Sequence, residues 1–237
     1  MHEGTRTVAR KLTRQRTDAV GRAFAGSQRL VQEYVSARRD VLDQAVLKAL
    51  PSEYAAATIE WRAPLEVYNY AEPLDAAFLE ALRLESHVTQ LADFWPKSGP
   101  RWDALAILRG EGGSLGYLLV EGKSYPGEVR GRGCSAKAER SLNLINAAIN
   151  ATKNAYGVPA TADWLGELYQ YANRLAHVHF LRTVTRRPAW LVNLCFTGDP
   201  RSPTSPDEWC RDFEIVKNQL ELPPAARSLV VDVLLPA

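Results

Sequence analysis

The sequence predicts an α/β fold in which a mixed β-sheet is sandwiched between helices. Three observations carry this. Two short apolar runs, Trp102–Leu108 and Leu115–Val120, flank the Gly-rich turn Arg109–Ser114 and read as a β-hairpin. Two later apolar runs, Ala189–Phe196 and Leu229–Leu235, alternate with stretches of helical period. The chain has 237 residues, 46% hydrophobic and 24% charged, which is enough to bury a core without staples.

Each element follows from local chemistry. From Asp18 to Leu50, Val20, Phe24, Leu30, Val31, Val35, Val41, Leu42, Val46 and Leu50 recur at threes and fours, predicting one long helix that Pro51 ends. It serves either as a dimerisation or docking element or as a first core helix. Ile59–Tyr70 mixes aromatic and β-branched residues and reads as strand or extended chain, with Pro64 arguing against a central strand. Pro73 then opens a helix over Leu74–Leu91, and Trp95–Pro100 breaks the chain. After the hairpin, Pro126–Gly133 is a loop and Lys137–Ala155 a helix. Asp163–Thr183 is a second helix with Asp163 as its N-cap, and Pro206–Leu220 is a third that starts with acids. The expected organisation is a basic arm over 1–16, a helical extension over 17–50 and an α/β core domain over 51–237.

Charge excludes little. Lys plus Arg is 29 against 27 Asp plus Glu, a net charge of +2 that argues against a histone-like polycation. Residues 1–40 nevertheless hold 9 basic and 4 acidic residues, and nucleic-acid binding needs only a local patch. Cys134, Cys195 and Cys210 have no metal spacing and cannot all pair, so a reducing compartment, and hence a cytoplasmic protein, is expected. No apolar run reaches the roughly 18 residues of a membrane helix, so no membrane partner is expected.

One motif misleads. Gly116 to Gly122-Lys123-Ser124 looks like a phosphate loop, but five residues separate the glycines where that loop has four. The intervening Tyr-Leu-Leu-Val is also a stiff apolar strand, whereas a phosphate cradle needs a loop whose amides turn inward.

The same residues support another chemistry. Glu121 and Lys123 lie two apart on a strand and leave one face, while Gly122 points to the other, where a packed helix can come close. Asp103 is the only acid on the partner strand, so a paired hairpin brings Asp103 and Glu121 together. Two carboxylates near a backbone carbonyl form a hard-oxygen site suited to Mg2+ or Mn2+. A neighbouring Lys can orient water or stabilise charge on a transferring phosphorus. The plainer reading is an ion pair at a strand end.

Pro100-Arg101-Trp102-Asp103 followed by Glu121-Gly122-Lys123 resembles the PD-(D/E)XK nuclease superfamily, which has the restriction-endonuclease-like fold. There a helix precedes a β-hairpin bearing an Asp and then an (Asp/Glu)-x-Lys, and further helices and strands complete the sandwich. The resemblance covers residues 73 to 197. It implies that Asp103 and Glu121 hold a divalent metal, that the Gly122 carbonyl is a further ligand, and that Lys123 assists attack on a phosphodiester. Two features depart from the pattern: Arg101 and Trp102 separate the Pro from the Asp, and the middle residue is Gly. The chain looks like a bacterial branch of the superfamily rather than a restriction enzyme of defined specificity, so no DNA sequence preference is implied.

Supporting residues are sought nearby. Asp163, Glu167, Gln170, Arg174 and His177 share one helical face, where Gln170 and Arg174 either touch a phosphate or metal ligand or form a solvated surface. Glu128 is either a third acid or a loop residue. Glu80 and Glu85 lie on the preceding helix, where the superfamily often adds an acid. Arg130 and Arg132 are candidate phosphate contacts or ordinary loop charges. The leading expectation is a Mg2+- or Mn2+-dependent nuclease acting on nucleic acid, DNA before RNA. The alternative is a non-catalytic nucleic-acid-binding or assembly module on the same fold, in either case with a possible homodimer through the N-terminal helix.

Overall fold

The computed structural model describes residues 16–237, so the expected basic arm lies, except for Arg16, outside the described residues. The N-terminal helix is not continuous. It forms α1 (Gly26–Ala37) and α2 (Arg39–Ala49), which part at Arg38, where φ is −123° and ψ is 32°. Residues 17–23 form a short turn closed by a bridge between Thr17 and Ala23, and Val20 and Phe24 stay exposed. Helical spacing persists through the kink, so periodicity alone does not reveal it.

β1 (Thr58–Ala63) ends just before Pro64. The expected helix over 74–91 is also broken. It forms α3 (Asp75–Ala81) and α4 (Val88–Phe94), separated by Arg83 at a left-handed φ of 60°. β2 (Ala104–Arg109) and β3 (Leu115–Lys123) form the hairpin. Then follow α5 (Glu139–Tyr156), α6 (Tyr169–Thr185), β4 (Ala189–Thr197), α7 (Pro206–Gln219), α8 (Pro224–Arg227) and β5 (Val230–Pro236). Asp163 does not cap α6, which starts six residues later. Its Oδ1 accepts the Leu165 and Gly166 N–H groups and closes a preceding turn. Ser205, by contrast, caps α7 in a reciprocal pair with Glu208.

The five strands form one mixed sheet in the order β1-β2-β3-β4-β5. β1, β2 and β3 run antiparallel, while β4 lies parallel to β3 and β5 to β4. β1 is an edge strand, as Pro64 requires. Side-chain alternation separates two cores. Ala104, Ala106, Leu108, Leu118, Val120, Val192 and Phe196 pack against Val31, Val35, Leu42 and Val46 of α1 and α2. Leu105, Ile107, Tyr117, Leu119 and Leu191 pack against α3 to α7. The apolar faces of α1 and α2 are thus buried within the chain, as a layer of its own core. Among the described residues no helix is long and apolar enough to cross a membrane.

Candidate active site

The site grows from the end of the hairpin. The β2–β3 register pairs Ala104 with Val120, so the next pair outward sets Asp103 opposite Glu121. Directly opposed residues share a sheet face. β3 continues past β2, and the Gly122 N–H donates to Asp103 Oδ2 at 2.8 Å where a backbone acceptor would otherwise stand. The Gly122 carbonyl leaves the strand on the same edge, toward Asp103. Asp103 and Glu121 thus stand on one sheet face near the carboxyl end of β3, beside the parallel strand β4, where open α/β sheets commonly bind ligands.

Gly122 has a steric cause. A Cβ there would collide with the Val31 side chain of α1. The helix expected close to this position is α1, and it excludes any side chain at the middle of the Glu-x-Lys triplet. The whole stretch from Leu115 to Lys123 is strand, so no phosphate loop exists here.

Glu121 is held from two sides. Lys123 Nζ donates to Oε1 and Arg174 Nε to Oε2, each at 2.7 Å. All three side chains are only 9–11% exposed. Burial pushes the Glu121 carboxyl up, but Arg174 and Lys123 outweigh it and hold the group below its usual range. Asp103 has the opposite fate. Burial and the Glu121 charge raise it to about 8, against a partial offset from Lys123 and the Gly122 N–H. Arg174 is itself fixed by the Gln170 carbonyl at 3.2 Å and Asn173 Oδ1 at 3.0 Å, and its guanidinium lies 5.7 Å from the centre of the Trp102 ring.

The row continues across the sheet. Asn193 on β4 stands beside Glu121, and Asp232 on β5 beside Asn193. Asn193 Nδ2 donates to Asp232 Oδ1 at 2.7 Å and to the Tyr171 hydroxyl at 3.3 Å, while Lys217 Nζ reaches Asp232 Oδ2 at 2.6 Å. At the other end of the row Asp103 accepts the Gly122 N–H through Oδ2.

Other expected residues divide. Arg174 joins the site. Gln170 contributes its backbone carbonyl, with its side chain exposed. Glu128 lies at the margin: its Oε2 accepts the Ser124 N–H at 2.8 Å, and burial raises its carboxyl despite Lys123 and Ser27 nearby. Arg130 is committed to Asp212 at 2.9 Å, and Arg132 is exposed in the loop. His177 does not share the polar face with Gln170. It is buried among Phe78, Phe94, Trp95 and Trp102. Glu80 and Glu85 are exposed on or beside α3 and do not reach the site.

The acid that does approach is Glu72. Burial raises its carboxyl, and the charge of Glu121 adds to this, while Gln28 and Arg101 oppose it. It also pushes Asp103 upward. The Trp102 N–H donates to the Pro73 carbonyl at 3.1 Å, which pins residues 72–73 beside the start of β2. The one sequence signal was the Pro after Glu72; the long-range bond is invisible in it.

The donor chemistry fits a hard divalent cation at Asp103 and Glu121, with the Gly122 carbonyl beside them. Two close carboxylates, one of them driven to bind a proton, are an arrangement that a cation relieves. Among the described residues, no group of three His, Cys, Asp or Glu side chains forms a ready-made metal cage. Comparison with known proteins found no matching family model, curated protein or solved structure.

Proposed function

We propose that this chain is a metal-dependent nuclease, and that its sheet is the core of a restriction-endonuclease-like fold. The observation that carries the reading is the opposition of Asp103 and Glu121 at the open end of the hairpin, with Lys123 bonded to Glu121. The element order supports it: a helix, an antiparallel hairpin ending in acids, a helical crossover, and a strand parallel to the second hairpin strand.

Asp103 and Glu121 would hold Mg2+ or Mn2+, which supplies Lewis acidity and lowers the pKa of bound water. The chain's own residues do the rest. Lys123 sits with its Nζ on Glu121 Oε1, from which it would donate to a phosphoryl oxygen as negative charge grows. Arg174 fixes the other carboxylate oxygen and so sets the rotamer of Glu121. The Gly122 N–H anchors Asp103 Oδ2 and leaves Oδ1 to face the ligand. Trp102, fully buried behind Arg174, keeps bulk water away from that side.

One observation favours a second reading. Both Glu121 oxygens are already taken by cations, so the triad also suits a closed structural network in a nucleic-acid-binding or assembly module. Cleavage decides between them. Purified protein with Mn2+ is incubated with single- and double-stranded DNA and with RNA. The nuclease reading expects cleavage of at least one substrate, reduced by about 10²- to 10³-fold or more in Lys123→Ala. Folded protein that cleaves none of them with Mn2+ supports the second reading.

A further inference from the structure

A groove of about 600 Å3 opens beside the site, between the loop that precedes β2, the loop that precedes α5, and the first turns of α5 and α6. Its walls carry four cations, Lys97, Arg101, Lys137 and Arg174, and no Asp or Glu. In a chain with 27 acids, a lining of four cations and no acid is a marked local departure from the overall balance. Lys97, Arg101 and Lys137 are exposed and take part in none of the ion pairs among the described residues, though Arg101 lies near enough to Glu72 for its charge to lower that carboxyl. The fourth, Arg174, is the residue that grips Glu121, so the groove leads to the carboxylates.

Two further features suit a phosphate-bearing ligand. The first turn of the 18-residue helix α5 opens on the groove at Ala138 and Ser141, with no side-chain cap on its amides. The lining holds two aromatic rings, the buried Trp95 and the partly exposed Tyr169. The volume lies within the roughly 300–1,000 Å3 of pockets that enclose small ligands, room for a nucleotide or two and not for a duplex. Cations from three separate segments call for charge spread along a chain and not for one small anion.

We infer that this groove binds the sugar–phosphate backbone of single-stranded nucleic acid and feeds it toward Asp103 and Glu121. The direction of feeding rests on the nuclease reading; the binding does not. Phosphate contacts dominate such binding and make it salt-dependent, with a slope of about −0.7 per phosphate neutralised on a single strand.

The test is fluorescence anisotropy of the full chain with a labelled oligothymidylate and with a labelled duplex of equal length. EDTA is present throughout, and salt is varied from 50 to 200 mM. The groove predicts binding of the single strand at 50 mM salt and at least tenfold weaker binding of the duplex. Lys97→Ala combined with Lys137→Ala weakens the single strand by at least tenfold and flattens the log–log salt slope by about 1.4, two contacts at 0.7 each. Both lysines are exposed, and an unchanged thermal melt verifies folding. Lys48→Ala, exposed on α2, leaves binding unchanged. Equal binding of the duplex, absence of single-strand binding, or indifference to the double substitution overturns the groove. Intact binding without cleavage in Mn2+ instead overturns the nuclease reading and leaves the groove standing. Cleavage that proceeds while binding ignores the double substitution does the reverse.

Discussion

Glu60 and Glu121 each gather more than one cation, and they do so differently. Glu60 on β1 contacts Arg62, Arg83 and Arg109 at 3.0, 2.7 and 2.6 Å. Glu121 on β3 contacts Lys123 and Arg174, each at 2.7 Å. By count, Glu60 is the richer cluster. Yet its side chain is 28% exposed and its partners reach 54%, so water screens the attraction. The Glu121 triad is almost dry, and a second carboxylate stands directly opposite. Hydrogen bonding from Arg109 is the largest influence at Glu60 and simply lowers it. At the other site burial and mutual repulsion divide the acids, with Glu121 held low and Asp103 driven to about 8. Ion pairing alone does not mark a site; burial together with an unresolved second charge does.

Substitutions break this contrast in a definite order. Glu121→Gln leaves Lys123 and Arg174 buried without their anion, and should cost about 3–5 kcal/mol in urea unfolding. A loss below about 1 kcal/mol would mean that water screens the triad as it screens Glu60. Gly122→Ala comes next. Its methyl meets Val31, so about 1–3 kcal/mol is expected, with partial recovery in Gly122→Ala/Val31→Ala. An unchanged melting temperature in the single variant would show that α1 does not press on β3 there.

The dryness of the region has its own probe in His177, three residues beyond Arg174. Burial is the main cause that lowers it to about 4, with the Arg174 charge adding, against a hydrogen bond to the Asn173 carbonyl. The native imidazole is therefore neutral while the unfolded one gains a proton near its ordinary 6.5. Its contribution is complete above about pH 6.5 and is lost as pH falls toward 4. At pH 5 the loss should be on the order of 2 kcal/mol relative to pH 7. Urea midpoints for the wild type and His177→Gln at both pH values measure it, and equal pH dependence in the two proteins would refute it. The smallest effect belongs to the surface cluster. Glu60→Gln should cost at most about 1 kcal/mol, and less at 1 M salt.

Much of this was legible in the sequence, for physical reasons. β2, β3 and β4 are short apolar runs between turn residues, which is the pattern burial on both faces imposes, and β5 is an apolar edge strand. Asp103, Glu121 and Lys123 could be found because a strand fixes the direction of its side chains, and a hairpin fixes their opposition. The close helix over Gly122 was legible for the same reason. What escaped is long-range. Glu72 reaches the site through the backbone bond from Trp102 to Pro73, 29 residues apart in sequence, with no local trace. The kink at Arg38 and the break at Arg83 interrupt apolar spacing that itself continues unbroken. His177 shares the helical face of Arg174 by count, but the aromatic cluster that buries it comes from three other segments.

The central claim is that the opposed pair of carboxylates exists to hold a cation. Isothermal titration of Mn2+ into the wild type and Asp103→Asn tests it most directly, since Asn keeps an acceptor for the Gly122 N–H. The prediction is saturable binding in the wild type that falls by at least tenfold in the variant, with the melt in EDTA unchanged or raised. Absence of Mn2+ binding in the wild type, or binding that Asp103→Asn leaves intact, would contradict it.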